Sequence, residues 1–301
     1  MTDHPEVSGV GADVGLRARP FISGRDADAV LALVNADRLR GQPEATLEML
    51  AEAVAGHSAI DAGWWIELNH PVAVDVVEDA AGAVVGVVSY ATRPRDGAGL
   101  ILWLHGEERL NVVAALVDHA LAELGDRQPV DAFDFSTALG LGFEALPVHH
   151  RPVTAAVLSD RGFASRDLWR YMHRHLPAPE LPHAAAYSVE PPDPGKRRLT
   201  VRDGDQVSAE AIVGVPVAGI GVLWWLSVDG AARGRGIGRA LLGSALDLLA
   251  GLGAAEVILY VDDDEPGGER DRAAANKLYE SAGFTEVDRL HSFRRSVASD
   301  A

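Results

Sequence analysis

Two hydrophobic periods alternate along this 301-residue chain, and the alternation runs through twice. In the first half, Ala18 to Ser23 reads as a short strand, and Asp26 or Asp28 can cap a helix running towards Asn35. Pro43 to Ala55 predicts a second helix with proline at its start. Val72 to Glu78 and Ala83 to Tyr90 flank Asp79-Ala80-Ala81-Gly82 and predict a hairpin. A strand over Leu100 to Leu104, an amphipathic helix over Glu107 to Leu124 and a strand over Val130 to Phe135 follow. Thr154 to Asp160 has helical spacing and stops at Arg161-Gly162, where glycine accepts the backbone of a helix end. Leu168 to His173 closes the half as a strand.

The second half repeats much of that order. Arg198 to Arg202 and Gln206 to Val213 pair around Asp203-Gly204-Asp205. Val222 to Val228 is an apolar run of buried-strand length, followed by a glycine-rich turn and a helix to Leu252. Glu256 to Val261 predicts a strand, Ala273 to Ser281 a helix closed by Gly283, and Thr285 to Phe293 a last strand. Leu158-Ser159-Asp160-Arg161-Gly162-Phe163 and Tyr279-Glu280-Ser281-Ala282-Gly283-Phe284 hold the same place in each half, which points to an internal duplication. Between the halves, Leu176-Pro177-Ala178-Pro179-Glu180-Leu181-Pro182 and Glu190-Pro191-Pro192-Asp193-Pro194-Gly195 cannot continue a helix or a central strand. The expected organisation is a disordered leader over 1–15, an N-terminal domain over 16–176, a proline-rich linker over 177–195 and a C-terminal domain over 196–301.

Composition narrows the function classes. Hydrophobic content of 48% suffices for two cores, and without cysteine there is no disulfide framework, thiolate metal site or cysteine nucleophile. No apolar stretch has membrane-spanning length and no signal peptide opens the chain, so the cytoplasm is the default compartment. A net charge of −17, with the excess acid mostly in the N-terminal part, argues against a general nucleic-acid surface and serves solubility or the steering of cationic ligands.

Against that acidic background, Arg233-Gly234-Arg235-Gly236-Ile237-Gly238 stands out. A strand, a glycine-rich turn and a helix start in that order make an anion site, because glycines permit close backbone approach and the first helical N–H groups lack partners. The expected ligand carries phosphate.

Arg233-x-x-Gly236-x-Gly238 and, downstream, Ala275-x-x-x-Tyr279-x-x-x-Gly283-Phe284 resemble the paired motifs of the GCN5-related N-acetyltransferase (GNAT) superfamily. The resemblance covers about 195–295 well and 16–175 by element order alone. The doubled layout is similar to that of tandem members such as mycothiol synthase, although no motif identifies that substrate. It implies an α+β fold of two tandem acyl-CoA acyltransferase domains, with mixed, mostly antiparallel sheets flanked by helices. It also implies acetyl-CoA as cosubstrate and a primary amine, broadly of a small molecule, as acceptor. Backbone groups of Leu226, Ser227 and Val228 then face the pantetheine arm. Gly234 and the N–H groups of Arg235, Gly236, Ile237, Gly238 and Arg239 serve the pyrophosphate, with Arg233, Arg235 and Arg239 adding positive field. Arg272 and Ala275 lie on the cofactor side of the second block, and Tyr279 stands where the family's general acid protonates the leaving thiolate. A phenol suits that role because its ordinary pKa near 10 keeps it protonated at neutral pH.

The chain departs from the family pattern in several places. Gly221-Val222-Leu223-Trp224-Trp225 carries no carboxylate where many relatives place a base, leaving Glu210 on the preceding strand, a water chain or an acceptor of low pKa. Arg272 stands where the family often has Asn, behind the acidic run from Asp262 to Glu269, which reads as a solvated loop or a cation-attracting lip. The C-terminal half lacks room for two helices ahead of its hairpin, so acceptor recognition is expected to draw on the N-terminal half. That half has no phosphate loop: Leu104-His105-Gly106-Glu107-Glu108-Arg109 joins strand to helix with one glycine and two acids, and is expected not to bind coenzyme A.

His149-His150 and His173-x-His175 read as surface or packing residues, with no metal expected. Trp64-Trp65 and Trp224-Trp225 read as half-buried strand residues, one of the second pair being able to line an acceptor pocket. No Gly-x-Ser-x-Gly elbow supports serine catalysis. A dinucleotide-binding reading fails because its third glycine falls on Arg239. A non-catalytic acyl-CoA sensor is the alternative to an enzyme, and either a monomer or a homodimer fits.

Overall fold

The computed structural model describes residues 15–58, 62–127, 129–142, 144–262 and 272–296. The expected leader, up to residue 14, and the acidic run beyond Asp262 lie outside the described residues.

The N-terminal half contains β1 (Arg17–Pro20), α1 (Ser23–Ala36), α2 (Leu47–Val54), a one-turn α3 (Ala62–Trp65), β2 (Ala73–Glu78), β3 (Val84–Arg93) and β4 (Ala98–Gly106). It continues with α4 (Leu110–Leu124), β5 (Val130–Ala132), β6 (Leu146–Pro147), α5 (Pro152–Asp160) and β7 (Ala164–His175). The C-terminal half adds β8 (Ser188–Glu190), β9 (Lys196–Asp203), β10 (Gln206–Val217), β11 (Ile220–Val228), α6 (Ile237–Gly251), β12 (Glu256–Val261), α7 (Ala273–Ser281) and β13 (Thr285–Arg295).

Helix starts differ in detail from expectation: α2 begins at Leu47 rather than at Pro43, because Thr46 caps it by accepting the Met49 N–H at 3.2 Å. Neither Asp26 nor Asp28 caps α1; the helix begins at Ser23, and Asp26 lies buried in its first turn. There the Asp26 carboxylate accepts the Ile22 N–H at 2.8 Å and pairs with Arg19 at 2.6 Å. This pairing outweighs desolvation and holds the carboxyl below its ordinary range.

All the strands join one sheet in the order β1-β2-β3-β4-β5-β13-β7-β12-β11-β10-β9-β8, with β6 beside β13. Among the described residues, only β4–β5 and β11–β12 pair in parallel. The closing strands are interleaved: β13 inserts between β5 and β7, and β7 inserts between β13 and β12. Each half therefore borrows backbone hydrogen bonds from the other half's last strand. Neither half's strands could be lifted out of this sheet without leaving open edges.

Layers on both faces bury the cores. In the N-terminal half α4 covers one face through Val112, Val113, Leu116, Val117 and Ala120, while α1 and α2 cover the other through Val30, Val34, Leu50 and Ala53. In the C-terminal half α6 buries Leu241, Leu242, Ala245, Leu246 and Leu249, a helical stripe that meets Ala209, Ala211 and Val213 of β10. The proline-rich stretch is packed against α6: Leu181 and Ala178 join this core, and a side chain on Gly243 would meet the Pro182 carbonyl at 2.2 Å. The opposite face lacks its own pair of helices. Leu39 and Ala145 from the N-terminal half instead pack there on Tyr171, Val222 and Ile258. Tyr171 and Tyr260 donate to the Arg40 and Leu141 carbonyls, both at 2.8 Å.

Candidate active site

The site begins with a break in pairing. β11 stays hydrogen-bonded to β10 out to Val228, but its parallel pairing with β12 ends at Leu223–Leu259. A bulge at Trp224 marks the divergence, because Ile212 faces Trp225 while Val213 faces Leu223. From Trp224 to Val228 the β12-facing edge has no strand partner among the described residues, and the backbone groups of Leu226 and the Val228 N–H lie on that edge. The expected contribution of Ser227 is not met, because the antiparallel register turns its backbone groups to Glu210 of β10. β4 shows the same device: its pairing with β5 ends at Ile101–Ala132, and its bulge falls at Leu102. Bulge and divergence at matching points of both halves are what a duplicated scaffold leaves behind.

Beyond β11 the loop is shaped by local chemistry. Asp229 accepts the Ala231 N–H at 2.9 Å and starts a one-turn 3-10 helix over Gly230–Ala232. Gly234 and Gly236 then take φ of +73° and +76°, in the left-handed region that costs other L-residues about 1–2 kcal/mol. A side chain at either would meet nothing within 4 Å, so conformation rather than space calls for glycine. Gly236 precedes α6, and the first main-chain bond of the helix runs from Ala240 N–H to the Gly236 carbonyl at 3.1 Å. The N–H groups of Ile237, Gly238 and Arg239 precede it and are free to hold an anion at the positive end of the helix dipole. A side chain on Gly238 would come 3.2 Å from Val228 and 3.8 Å from Leu278, so this glycine lets α6 start against the end of β11 and beside α7.

The side chains at the loop divide their work. Arg233 donates to the Val228 carbonyl at 3.2 Å, and Arg239 ties the start of α6 to the end of α7 through Ser281, at 2.8 Å to its hydroxyl. Arg235 is exposed. At the far end of α7, Arg272 pairs with Asp262 at 3.4 Å, while Ala275 packs on the core. Tyr279 is 7% exposed and stacks edge-on against Phe284. It shares one apolar cluster with Leu226, Val228, Ile237 and Leu278, which brings the two sequence motifs together. Burial pushes its phenol up to about 12, Arg272 acting in the opposite direction. Glu210 lies opposite Ser227 on the face away from α6, and its carboxylate is held by Arg198 at 3.1 Å.

The equivalent loop of the N-terminal half is built for other contacts. Glu107 pairs with Arg109 at 2.6 Å. The Glu108 carboxylate turns to α5, accepting the Val153 and Thr154 N–H groups at 2.9 and 3.1 Å and the Thr154 hydroxyl. Buried Arg151 lies 3.3 Å from Glu108 and 3.5 Å from Asp37, and it donates to the Leu104 carbonyl at 2.7 Å. This buried charge network carried no local sequence signal. Asp37 and Arg151 stand more than a hundred positions apart, at the end of α1 and the start of α5, and only the packing of these helices around β4 brings them together.

The histidines gain partners that spacing did not reveal. His173 and His175 project from one face of β7, and Glu256 is the cross-strand partner of His175 on β12. His173 Nε2 lies 2.7 Å from Glu256, while the Arg40 guanidinium lies 2.6 Å from His175 Nε2. Burial holds the His173 imidazole below its ordinary value. One ligand atom each from His173, His175 and Glu256 lies within 4.8 Å of the others, a grouping of the kind that could hold a metal ion, which the spacing of the histidines alone did not suggest.

Among the described residues no helix is long and apolar enough to cross a membrane. Residues 197–286 match the family model described as an acetyltransferase (GNAT) domain. A mycothiol acetyltransferase of Beutenbergia cavernae is 45% identical over 96 residues; that match spans 32% of this chain and 30% of the relative's length. A mycothiol acetyltransferase of Nocardioides sp. is 27% identical over 79% of this chain and 91% of its own length. Among solved structures, a tandem GNAT protein from the clavulanic acid biosynthesis pathway shares the fold with a TM-score of 0.62 at 16% identity, over 95% of this chain and all of that one. Residues 197–286 thus carry a GNAT acetyltransferase domain, and the chain shares its doubled fold with tandem GNAT proteins along nearly its whole length.

Proposed function

We propose that this protein is an N-acetyltransferase that moves an acetyl group from acetyl-CoA to a primary amine of a small molecule, with one active centre in the C-terminal half. The observation that carries the reading is the divergent end of β11, where an unpaired strand edge, left-handed Gly234 and Gly236, free α6 N–H groups and buried Tyr279 converge. The fit to acetyl-CoA is chemical: an unpaired strand edge suits the amide-bearing pantetheine arm, and a helix start flanked by three arginines suits a pyrophosphate. Acetyl-CoA supplies an activated acyl group as a thioester.

The chain's residues then position and move protons. Backbone N–H on the open edge near Val228 polarises the acyl carbonyl where negative charge develops. The neutral amine forms a C–N bond at that carbon, the C–S bond breaks, and Tyr279 Oη passes its proton to the departing sulfur. The proton lost by the amine goes to solvent. β11 carries no carboxylate and Glu210 is engaged by Arg198, which favours water or an acceptor of low pKa over a dedicated base. The acceptor side opens towards the face that Leu39, Arg40 and Leu141 of the N-terminal half cover, so that half helps to select the amine.

Release of coenzyme A thiol from acetyl-CoA across a panel of aminosugars, polyamines and amino acids tests the activity. Tyr279→Phe is expected to keep acetyl-CoA binding and lose turnover. Tight acetyl-CoA binding with no thiol release for any amine would favour the sensor reading, for which the missing β11 carboxylate is the specific observation.

A further inference from the structure

The joint between the two halves carries a cluster that acetyl transfer does not use. His173 and His175 are two positions apart on β7, and Glu256 of β12 stands directly opposite His175, so all three side chains share one sheet face. Tyr171 and Ile258 lie on the same face, which Leu39 of the N-terminal half covers. The polar atoms converge. His173 Nε2 lies 2.7 Å from one Glu256 oxygen, and His175 Nδ1 lies 3.8 Å from the other. A tetrahedral ion with bonds of about 2.0–2.2 Å sets its ligand atoms about 3.3–3.6 Å apart. The donors here, grouped within 4.8 Å, straddle that spacing, so modest side-chain rotations close them around one ion with the strand register unchanged.

The buried ligand is held in place before any ion arrives. His173 is 1% exposed, and a side chain on Gly41 would come 2.7 Å from its Cδ2 and 2.6 Å from Ile258. The φ of +80° at Gly41 lets the α1–α2 connection close on this ring, whose Nε2 is turned to Glu256. Glu256 is half-buried and His175 is mostly exposed, so the cluster opens to solvent on one side. That side gives an ion its path in and water its place as a further ligand.

The donor set selects the ion. Two imidazoles and one carboxylate suit zinc, whereas calcium and magnesium take oxygen ligands. One charge opposes any cation: the Arg40 guanidinium lies 2.6 Å from His175 Nε2 and donates to it, which puts the ring proton on Nδ1. Arg40 is exposed, and its side chain is free to turn out while its carbonyl keeps the Tyr171 hydroxyl at 2.8 Å. Zinc at Nδ1 therefore displaces the guanidinium, and the ring proton moves through solvent from Nδ1 to Nε2.

We propose that His173, His175 and Glu256 form a zinc site that staples the last strand of the N-terminal half to β12, with water completing the coordination. Glu256 opens β12 opposite Ile220, at the end of that strand pair away from the divergence beyond Leu223–Leu259, so the ion is structural and takes no part in acetyl transfer. The test uses tag-free full-length protein, stripped of metal with a chelator and titrated with Zn²⁺ by calorimetry, with Mg²⁺ and Ca²⁺ as controls. One zinc per chain is expected at this cluster, and neither control ion should bind there. His175→Gln, at an exposed position, should weaken zinc by more than about 10-fold, the least that even an outer-shell partner costs; Glu256→Gln is the second variant, and His149→Gln should change nothing. Arg40→Gln should tighten zinc by about 1.5- to 5-fold, since it removes an exposed charged competitor. Excess zinc should raise the melting temperature of the native chain but not of His175→Gln, and leave acetyl-CoA affinity unchanged. Zinc that survives both His175→Gln and Glu256→Gln, or Mg²⁺ binding the cluster equally well, overturns the proposal. So does the absence of zinc binding, which would leave a His173–Glu256 ion pair alone.

Discussion

β4 with α4 and β11 with α6 are the same piece of architecture used in two ways. Both strands carry a bulge where their parallel partner leaves them, and both lead into a helix of 15 residues. The difference lies in the connection. After β11 it holds left-handed glycines, exposed arginines and a helix start with free donors. After β4 it holds two acids, and Glu108 is spent on the first turn of α5. Loop chemistry alone thus separates the turn proposed to bind phosphate from a structural one on a common scaffold.

The largest effect should come from separating the halves. A fragment over 183–301 leaves β12 and β13 without β7, and β13 without β5 as well. It is expected to lose cooperative unfolding and all acetyl-CoA binding, as read by thermal denaturation and calorimetry. A folded, active fragment would refute the dependence of one half on the other. Next comes Tyr279→Phe, expected to lower kcat by about 10²- to 10⁴-fold with acetyl-CoA affinity retained. A proportional loss of affinity would reassign the residue to binding.

The same tyrosine has a signature in pH. Its pKa is raised from 10.0 to about 12 by burial. The stabilisation linked to the neutral phenol is therefore complete below pH 10 and lost as pH rises through about 12. Neither kcat nor stability should show an alkaline limb from this group below pH 10. A kinetic limb near pH 8 that vanished in Tyr279→Phe would contradict the burial argument.

Smaller effects separate the two loops. Gly236→Ala forces a side chain into φ +76° and should weaken acetyl-CoA by about 5- to 30-fold, equivalent to about 1–2 kcal/mol. Gly106→Ala sits in the other loop, where a side chain would press on the Val85 carbonyl at 3.1 Å and Gly86 Cα at 3.2 Å. It should lower the melting temperature and leave acetyl-CoA affinity alone. Arg239→Ala, which removes the tie to Ser281, should raise the acetyl-CoA KM only a few-fold; an unchanged KM would limit that arginine to joining α6 and α7.

Much of the fold was legible because its signals are local. Glu256–Val261 and Ala273–Ser281 fall on their predicted bounds, since a pure apolar run and a helix closed by Gly283 compete with nothing nearby. The interleaving of β7 and β13 was not legible. Both strands follow the same Gly-Phe step, at Gly162-Phe163 and Gly283-Phe284, so local pattern cannot tell which half each strand completes. The packing of Pro182 on Gly243 was hidden for a related reason: prolines announce a break in regular structure but not whether the broken segment is buried. At the candidate site, the glycine turn and Tyr279 were visible as motifs. The Asp37–His105–Arg151 group was not, because each member is a lone polar residue until β4 and α1 are brought together.

The central claim is that the C-terminal loop alone binds acetyl-CoA, and calorimetric titration of the full-length chain tests it most directly. The account predicts one acetyl-CoA per chain, weakened by Gly236→Ala and indifferent to Gly106→Ala. Two equivalents per chain, or binding that survives disruption of the Arg233–Arg239 loop and is lost on changing Glu107 and Glu108, would contradict it.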